Sequence, residues 1–199
     1  MTFEVTLAGI VGALIVGTIG ASMRTSNSTL ARGLATAFAE FFRNTPPLVH
    51  IYFAVFALPL IGISLPSVVC ATIALILYQG AIAIEILRAG LEAVPKGQHE
   101  AASALGLSPF AQFRDIIAPQ AFRISLPSLG NNLISLLKNT SLISAIGTFE
   151  ITGRVQDIIS IRFSSAELYL TLGAFYLLSV FVLSTILRIT EHRLAKYAA

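Results

Sequence analysis

Charged residues are scarce in this chain. Of its 199 residues only 12% are charged and 55% are hydrophobic, whereas a soluble globular domain usually carries about 25% charged residues. The mean hydropathy is +0.82. This composition argues against an ordinary soluble domain and predicts an integral membrane protein. The net charge is only +3 and no basic patch is visible, so we expect no nucleic-acid partner.

Cysteine is scarcer still, since Cys70 is the only one and lies inside an apolar run. A single cysteine excludes a disulfide framework or a cysteine metal site within one chain. No lysine precedes a serine or threonine, so the GxxxxGK[ST] phosphate loop of an ATPase is absent. We therefore expect no catalytic residue, no metal site and no cofactor held by this chain.

Two uncharged segments have the length of a membrane span. Residues 5–23 and residues 168–187 each match the roughly 20 apolar residues that cross a hydrocarbon core. Small residues recur about every fourth position in the first segment, which favours close helix approach, although glycine is also simply common in membrane helices. These small residues are Ala8, Gly12, Ala13, Gly17 and Ala21.

A third uncharged stretch, residues 44–84, is too long for one span. It fits the end of a second span, whose helix should begin near Leu34, and all of a third span at about residues 67–88. Proline removes a helical hydrogen-bond donor, so Pro46-Pro47 should kink the second span. Residues 58–66 contain two further prolines and a glycine, which predicts the turn between the two spans.

The remaining segments complete the predicted topology. Residues 125–147 are apolar but interrupted by proline, glycine, asparagine and lysine, so we expect a helix packed inside a bundle or lining a cavity. Residues 149–167 carry mixed charge and predict an external segment. The sequence thus predicts an all-α integral membrane protein with one domain over residues 1–199, about five transmembrane helices, and a polar loop at about residues 96–123 between spans three and four.

The basic residues predict the orientation of a five-span chain. Arg154 and Arg162 fall on one side of the membrane, and most other basic residues fall on the opposite side. The positive-inside rule then puts the polar loop and the C-terminus in the cytoplasm and the N-terminus outside. The richer side receives Arg24, Arg32, Arg88, Lys96, Arg114, Arg123, Arg188, Arg193 and Lys196.

The polar loop predicts a helix, a sharp turn and a second helix. Gly106 suits the left-handed position after a helix, and Ser108 with Pro109 is typical of an N-cap followed by a first-turn proline. On the first helix, residues 97–105, two alanines and a leucine share a face that could fit a groove of another protein. The residues alone equally allow an amphipathic loop lying on the membrane surface. The candidate contact residues are Gly97, Glu100, Ala101, Ala102, Leu105 and Gly106.

A sequence signature runs through this loop and through two blocks outside it. Glu100-Ala101-Ala102 is followed four residues later by Gly106, and then by Ile117, Pro119 and Leu126-Pro127. Together with residues 42–49, FRNTPPLV, and residues 137–142, LKNTSL, this order of blocks resembles the EAA-motif permeases of ABC importers, in particular the polar amino acid subfamily.

The resemblance implies a set of partners. Such permeases pair with a second permease, either identical or paralogous. The EAA helix of each permease docks to one of two cytoplasmic ATPase subunits, and these subunits bind the ATP and magnesium. An extracytoplasmic amino-acid-binding protein delivers the solute. The expected location is a bacterial inner membrane, with membrane lipid around the spans and the loop acting as the ATPase-coupling element.

Lys138 is the leading candidate for contacting the solute. An ionisable residue within a span is a functional-site candidate, and an ammonium beside Asn139 and Thr140 would suit the carboxylate of an amino acid. The alternative is that Lys138 pairs with an acidic residue such as Glu85 and braces helices. Many permeases of the subfamily that this chain resembles have aspartate where this chain has Asn139. Because that negative charge is missing here, acidic or neutral polar amino acids are favoured as solutes over cationic ones.

Three residues of the third span complete the predicted substrate site. Glu85 resembles a glutamate in the family pattern and would either touch the solute or brace the bundle. Tyr78 and Gln79 stand where the family often has a small polar pair, and this departure would reshape specificity or move the path elsewhere. An ATP-independent secondary transporter and a membrane docking subunit are the competing functions, although no internal repeat typical of the former is evident.

Overall fold

The computed structural model describes residues 1–162 and 165–196, and all regular elements within them are helical. Residues 163–164 of the predicted external segment, and residues 197–199 at the end of the predicted domain, lie outside the described residues. The helices are α1 Thr2–Arg24, α2 Thr29–Arg43, α3 Pro47–Tyr52, α4 Ser67–Glu92, α5 Lys96–Ala104, α6 Pro109–Ala111, α7 Ala118–Asn139, α8 Ile151–Arg162 and α9 Ser165–Lys196.

Short stretches of altered helical winding extend three of these helices. Phe53–Ala57 is a widened π-type stretch and Leu58–Ile61 a tight 3-10 turn, so the helix of α3 continues to residue 61. A second π-type stretch, Gln112–Ile117, joins α6 to α7, and the 3-10 turn Thr140–Ile146 follows α7. Gly147 then ends the helical path with a φ of +71°.

The prolines break the predicted second span more sharply than a kink. The helix begins at Thr29, earlier than the expected Leu34, because the Ser28 side chain accepts a hydrogen bond from the Ala31 N–H. It ends at Arg43, and the following limb Pro47–Ile61 is turned by 102°. The two limbs are therefore separate helices with different directions.

The number of spans differs between the sequence prediction and the structure. Within the described residues three helices are long and apolar enough to cross a membrane, namely α1, α4 and the portion Ser165–Glu191 of α9, and the bent pair raises the number to four if counted as one span. Helix α7 was expected to be a span, and its 22 residues would extend about 33 Å. It does not reach the same apolarity, because one of its faces is polar.

The close approach predicted from the small residues of the first span is confirmed. Helices α1 and α4 run side by side in the same direction, and Ala13 has no exposed surface. A methyl group added at Gly17 would lie 2.6 Å from the Ala83 Cβ, a separation that packed side chains do not tolerate. Ala8, on the other hand, is exposed and lies outside this contact.

Substituting Gly17 by alanine should weaken this helix contact. Ala83 belongs to a rigid helix, so the added methyl can be accepted only by separating the helices, and overpacking of this kind typically costs about 1–3 kcal/mol. We expect a lower unfolding temperature in detergent. Gly33→Ala is the matched control, because no atom lies within 4 Å of its added methyl and alanine favours a helix. Equal unfolding temperatures for the two variants would contradict the close contact.

The two ends of the helix bundle carry different parts of the chain. At one end the Thr2 hydroxyl donates to Glu150 over 3.3 Å and accepts from the Ile151 N–H over 3.2 Å. Helix α9 passes this end of the bundle, because the Phe175 ring lies 5.9 Å from the Phe3 ring. Later residues of α9 reach the middle of α7, so α9 runs towards the opposite end, where α5 and the turn after it lie. Within the described residues, the N-terminus thus lies at the end of the bundle opposite the polar loop and the later part of α9.

Candidate functional site

A polar cavity of about 430 Å³ lies between α4 and α7. Four of the predicted substrate residues, Tyr78, Gln79, Lys138 and Asn139, line it together. Gln79 is at the middle of α4, so the cavity lies at about half the length of a candidate span. Its other lining residues are Ile82, Ile86, Ser128, Asn131, Asn132 and Ser135.

The polar side of α7 is what makes this cavity polar. Its lining positions run from Ser128 to Asn139 at steps of three or four residues, which places them on one face of a helix. Two hydrogen bonds hold this face against α4: Asn132 Nδ2 donates to the Gln79 carbonyl over 3.1 Å, and Ser125 Oγ donates to the Ile86 carbonyl over 3.3 Å. Asn131 and Asn132 were expected only as interruptions of an apolar helix, and their spacing on one helical face was the signal that would have identified them as lining residues.

Buried amide atoms without a protein partner lie at the cavity. Gln79 has no exposed surface and Asn132 is 5% exposed. Both amide atoms of the Gln79 side chain, and the Asn132 Oδ1, make no hydrogen bond with any described residue. A buried polar group left unpaired costs about 1–3 kcal/mol, so these atoms favour a polar ligand or water between the two helices.

Lys138 supplies the cationic side chain of the cavity. It is exposed, and among the described residues no carboxylate lies within salt-bridge distance of its ammonium. The predicted alternative, in which Lys138 braces helices by pairing with an acidic residue, is therefore not the arrangement in this structure. None of the described residues that line the cavity is acidic either.

Two predicted substrate residues lie away from the cavity wall. Thr140 is fully buried and its hydroxyl donates to the Leu137 carbonyl over 2.7 Å. Glu85 sits among arginines: its carboxylate is 3.3 Å from Arg24, 3.0 Å from Arg88 and 4.0 Å from Arg43. Of the two roles considered for Glu85, these contacts correspond to bracing, because they join α1, α2 and α4.

The polar loop has the predicted helix–turn–helix form. Helix α5 ends at Ala104, and Gly106 adopts a φ of +73°. The Ser108 side chain accepts from the Ala111 N–H, and Pro109 occupies the first turn. Glu100, Ala101 and Leu105 are exposed, with 76% of Leu105 accessible, and Gly97 is exposed as well.

One expected feature of the contact face is wrong. Ala102 has no exposed surface, so it packs within its own chain and only Ala101 of the two alanines faces outward. Further along the loop, Arg114 Nε donates to Asp115 Oδ1 over 2.7 Å, and this bond holds the pKa of the Asp115 carboxyl below its usual value. This carboxylate therefore stays ionised, and paired with Arg114, to a lower pH than an ordinary aspartate.

Apolar packing connects the loop to both cavity helices. Val94 after α4, Ile117 before α7 and Ala121 within α7 form one buried cluster. At the same place α4 and α7 are very close, since a methyl added at Gly90 would lie 2.7 Å from the Ala121 carbonyl oxygen. The loop is therefore packed directly against the two helices that line the cavity.

These features define the membrane subunit of a transport protein: apolar spanning helices, a polar cavity at mid-depth and an exposed loop packed against the cavity helices. Residues 9–196 match the family model described as binding-protein-dependent transport system inner membrane component. The chain belongs to this family, as the resemblance in sequence predicted.

Individual relatives agree with this assignment. The chain is 36% identical over 196 residues to the glutamine transport system permease protein GlnP of Escherichia coli K12, covering 98% of this chain and 90% of that protein. It is 38% identical to the nopaline transport system permease protein NocM of Agrobacterium fabrum C58 over 181 residues, covering 86% and 75% of the two chains. These relatives are permeases, so the alternative of an ATP-independent secondary transporter is not favoured.

Solved structures show the same fold. A chain of an amino acid ABC transporter crystallised with histidines superposes with a TM-score of 0.91 at 32% identity, covering 97% of this chain and 90% of that one. The MetNI methionine ABC transporter in an inward-facing conformation gives a TM-score of 0.75 at 21% identity, covering 98% and 91%. The second likeness concerns the fold alone.

Proposed function

We propose that this permease subunit carries polar amino acids through the cavity between α4 and α7, driven by a separate ATPase. The observation that carries the proposal is the cavity itself, where Lys138 and Asn139 of one helix face Tyr78 and Gln79 of the other. The relatives named for glutamine and nopaline transport, and the amino acid transporter of closely similar fold, support an amino-acid solute.

The charge of the cavity favours some amino acids over others. Every amino acid presents a carboxylate, and the Lys138 ammonium is a charge-assisted donor for it. The side chain of the solute would then meet neutral amides and hydroxyls, including those of Gln79, Asn132 and Ser135. Since the described lining of the cavity contains no carboxylate, neutral polar or acidic side chains are preferred to cationic ones. Thr140 supports the site by holding the end of α7.

The polar loop is the proposed coupling element. Its exposed residues Gly97, Glu100, Ala101, Leu105 and Gly106 dock in an ATPase subunit, while the buried Ala102 fixes α5 to its own chain. ATP and magnesium are bound by that subunit, two of which serve a pair of permeases. The cluster of Val94, Ile117 and Ala121 carries the movement to α4 and α7.

The same proposal sets the orientation and the remaining partners. The loop and the end of α9 face the cytoplasm of a bacterial cell, and the N-terminus faces outward, where a binding protein delivers the solute. The positive-inside rule supports this direction. The cavity opens at the surface of the single chain, which supports a second permease, identical or paralogous, as the other wall of the path.

Uptake by vesicles tests the proposed function. The assembled transporter, reconstituted with its binding protein outside and ATP inside, should accumulate labelled glutamine or glutamate in preference to arginine. A non-hydrolysable nucleotide should prevent accumulation. Accumulation that persists on a proton gradient without ATP would contradict the energy source, and a preference for arginine would contradict the assignment of the cavity.

A further inference from the structure

The bend between α2 and the limb Pro47–Ile61 leaves a backbone carbonyl without its helical donor. In an α-helix each N–H donates to the carbonyl four residues earlier, and proline has no N–H. Pro46 therefore cannot serve the carbonyl of Phe42. The His50 ring takes this place, since its Nε2 lies 3.3 Å from the Phe42 carbonyl oxygen. A carbonyl oxygen can only accept, so the Nε2 of His50 carries the hydrogen and donates it.

His50 is buried among aromatic rings, with 7% of its surface exposed. The centre of its ring lies 4.6 Å from that of Phe42 and 5.5 Å from that of Phe41. The ring of Tyr78, on α4, lies 6.2 Å from it. These separations fall within the range of about 4.5–7 Å in which aromatic rings attract one another. His50 therefore links the last turn of α2 to a side chain of α4.

Tyr78 belongs both to this aromatic group and to the polar cavity. It lines the cavity from α4, together with Lys138 of α7. Ala74, four residues earlier and so on the same face of α4, lines a separate apolar cavity of about 400 Å³ together with His50. Tyr78 therefore lies at the border between the side of α4 that packs against the limb and the side that faces the polar cavity.

The limb that carries His50 is held in place by other contacts. Ile51, the next residue, has no exposed surface. It belongs to one buried cluster with Leu75 of α4 and Ile143 of the turn Thr140–Ile146, which follows α7. The limb is therefore packed against elements of both cavity walls, and its position does not depend on His50. His50 has a fixed base from which its ring can hold the Tyr78 ring.

We propose that His50 is a positioning residue of the solute cavity. Its ring holds the Tyr78 ring in the cavity wall, and its hydrogen bond to Phe42 holds its own ring in place. The inference rests on the proposed function, because it gives Tyr78 a part in binding the solute. A ring that is already held in one orientation loses less freedom when the solute binds, and this pre-organisation strengthens binding.

Two substitutions separate the ring of His50 from its hydrogen bond. His50→Phe keeps an aromatic ring beside Tyr78 and removes the donor. It should lower the unfolding temperature, because the buried Phe42 carbonyl loses its partner. His50→Gln keeps an amide donor for that carbonyl and removes the ring. The glutamine variant should lose solute affinity, whereas the phenylalanine variant should retain it. A residue that only closes the bend would give the opposite order.

Equilibrium binding of labelled glutamine to the assembled transporter, without the binding protein, measures this affinity. The dissociation constant of His50→Gln should rise roughly two- to tenfold, as expected for the loss of one aromatic pair. In a Tyr78→Leu background the same substitution should have no further effect, because a double-mutant cycle isolates what His50 does through Tyr78. An unchanged dissociation constant in His50→Gln, or independent effects of the two substitutions, would overturn the inference.

Tyr52→Gln is the matched control for the loss of a ring. Tyr52 belongs to the same limb, and its ring lies 5.8 Å from that of Phe56 and not beside Tyr78. The dissociation constant should stay the same in this variant. His50→Asn, which also carries an amide and no ring, replaces His50→Gln should that variant fold poorly.

Fluorine NMR of the fluorotyrosine-labelled transporter examines Tyr78 without any solute. The chain has five tyrosines, and the resonance of Tyr78 is the one that disappears in Tyr78→Phe. This resonance should be single and narrow in the unsubstituted protein and in His50→Phe, and split or broadened in His50→Gln. A single narrow resonance in all three would contradict the positioning role. If the unsubstituted transporter binds no glutamine, the proposed function fails, and this spectrum still decides whether His50 holds Tyr78.

Discussion

Replacing Lys138 by methionine is expected to reduce amino-acid uptake by roughly ten- to a hundredfold while the transporter still assembles. Methionine keeps most of the length and removes the charge. A hydrogen bond to a charged group contributes about 1.5–3 kcal/mol, and each 1.4 kcal/mol corresponds to about a tenfold change. Because no described carboxylate pairs with Lys138, its removal leaves no charge unpaired. Uptake at saturating and at low solute concentration, with ATP inside the vesicles, measures the effect.

Measuring whether the transporter assembles distinguishes solute binding by Lys138 from a role in bracing helices. Lys138→Met should copurify with the ATPase subunit and unfold at a temperature close to that of the unsubstituted protein. Lys138→Arg, which keeps the positive charge, should recover part of the uptake. Loss of assembly in Lys138→Met, or normal uptake in a well-folded variant, would contradict solute binding at this residue.

Replacing Gly106 by valine is expected to uncouple the permease from the ATPase. The turn after α5 requires a φ of +73° at this residue, and a side chain forced into an uncommon backbone region costs about 1–3 kcal/mol. If docking needs this turn, productive docking should fall by the corresponding factor, roughly five- to a hundredfold. Solute-stimulated ATP hydrolysis and uptake should both fall, whereas the spans should still insert.

The chain offers two controls for Gly106→Val. Asparagine tolerates the left-handed region better than other residues, so Gly106→Asn should retain most of the activity. Gly62 has a similar φ of +86° and, like Gly106, no atom within 4 Å of an added methyl, but it lies at the opposite end of α4. Gly62→Val should strain the backbone equally and leave ATPase copurification intact. Equal loss of copurification in both valine variants would contradict a specific docking role.

The sequence predicted the elements whose causes are local. The apolar length of α1 and α9, the third span predicted at about residues 67–88 and observed as the helix Ser67–Glu92, the cap at Ser108 and the positive φ at Gly106 each follow from a few neighbouring residues. The close helix approach of α1 also followed from small-residue spacing, whereas its partner, α4, did not. Lys138 and Gln79 were separate candidates for the substrate site, and both line the same cavity, although their role in binding stays a prediction.

Features set by distant contacts were not predictable in the same way. The inward direction of Ala102 depends on how α5 sits against the rest of the loop, and the position of Glu85 depends on three arginines from three different helices. The direction of α2 relative to the next limb is set by a bend of 102°, an angle that the presence of Pro46-Pro47 alone did not specify. A sliding window of hydropathy combines α2 and α3 into one span because it contains no information about direction.

Nucleotide binding by the ATPase subunit docked on the loop should change access to the cavity, and thiol labelling tests this coupling most directly. Asn131→Cys places a thiol in the cavity, and the only native cysteine, Cys70, is 2% exposed. In the assembled transporter, a membrane-impermeant reagent is added from the coupling-loop side and the rate of labelling of this thiol is measured. We expect a non-hydrolysable ATP analogue to change that rate severalfold. A cysteine at Leu177 on the exposed face of α9 should show no change. An identical labelling rate at position 131 with and without nucleotide would contradict this coupling.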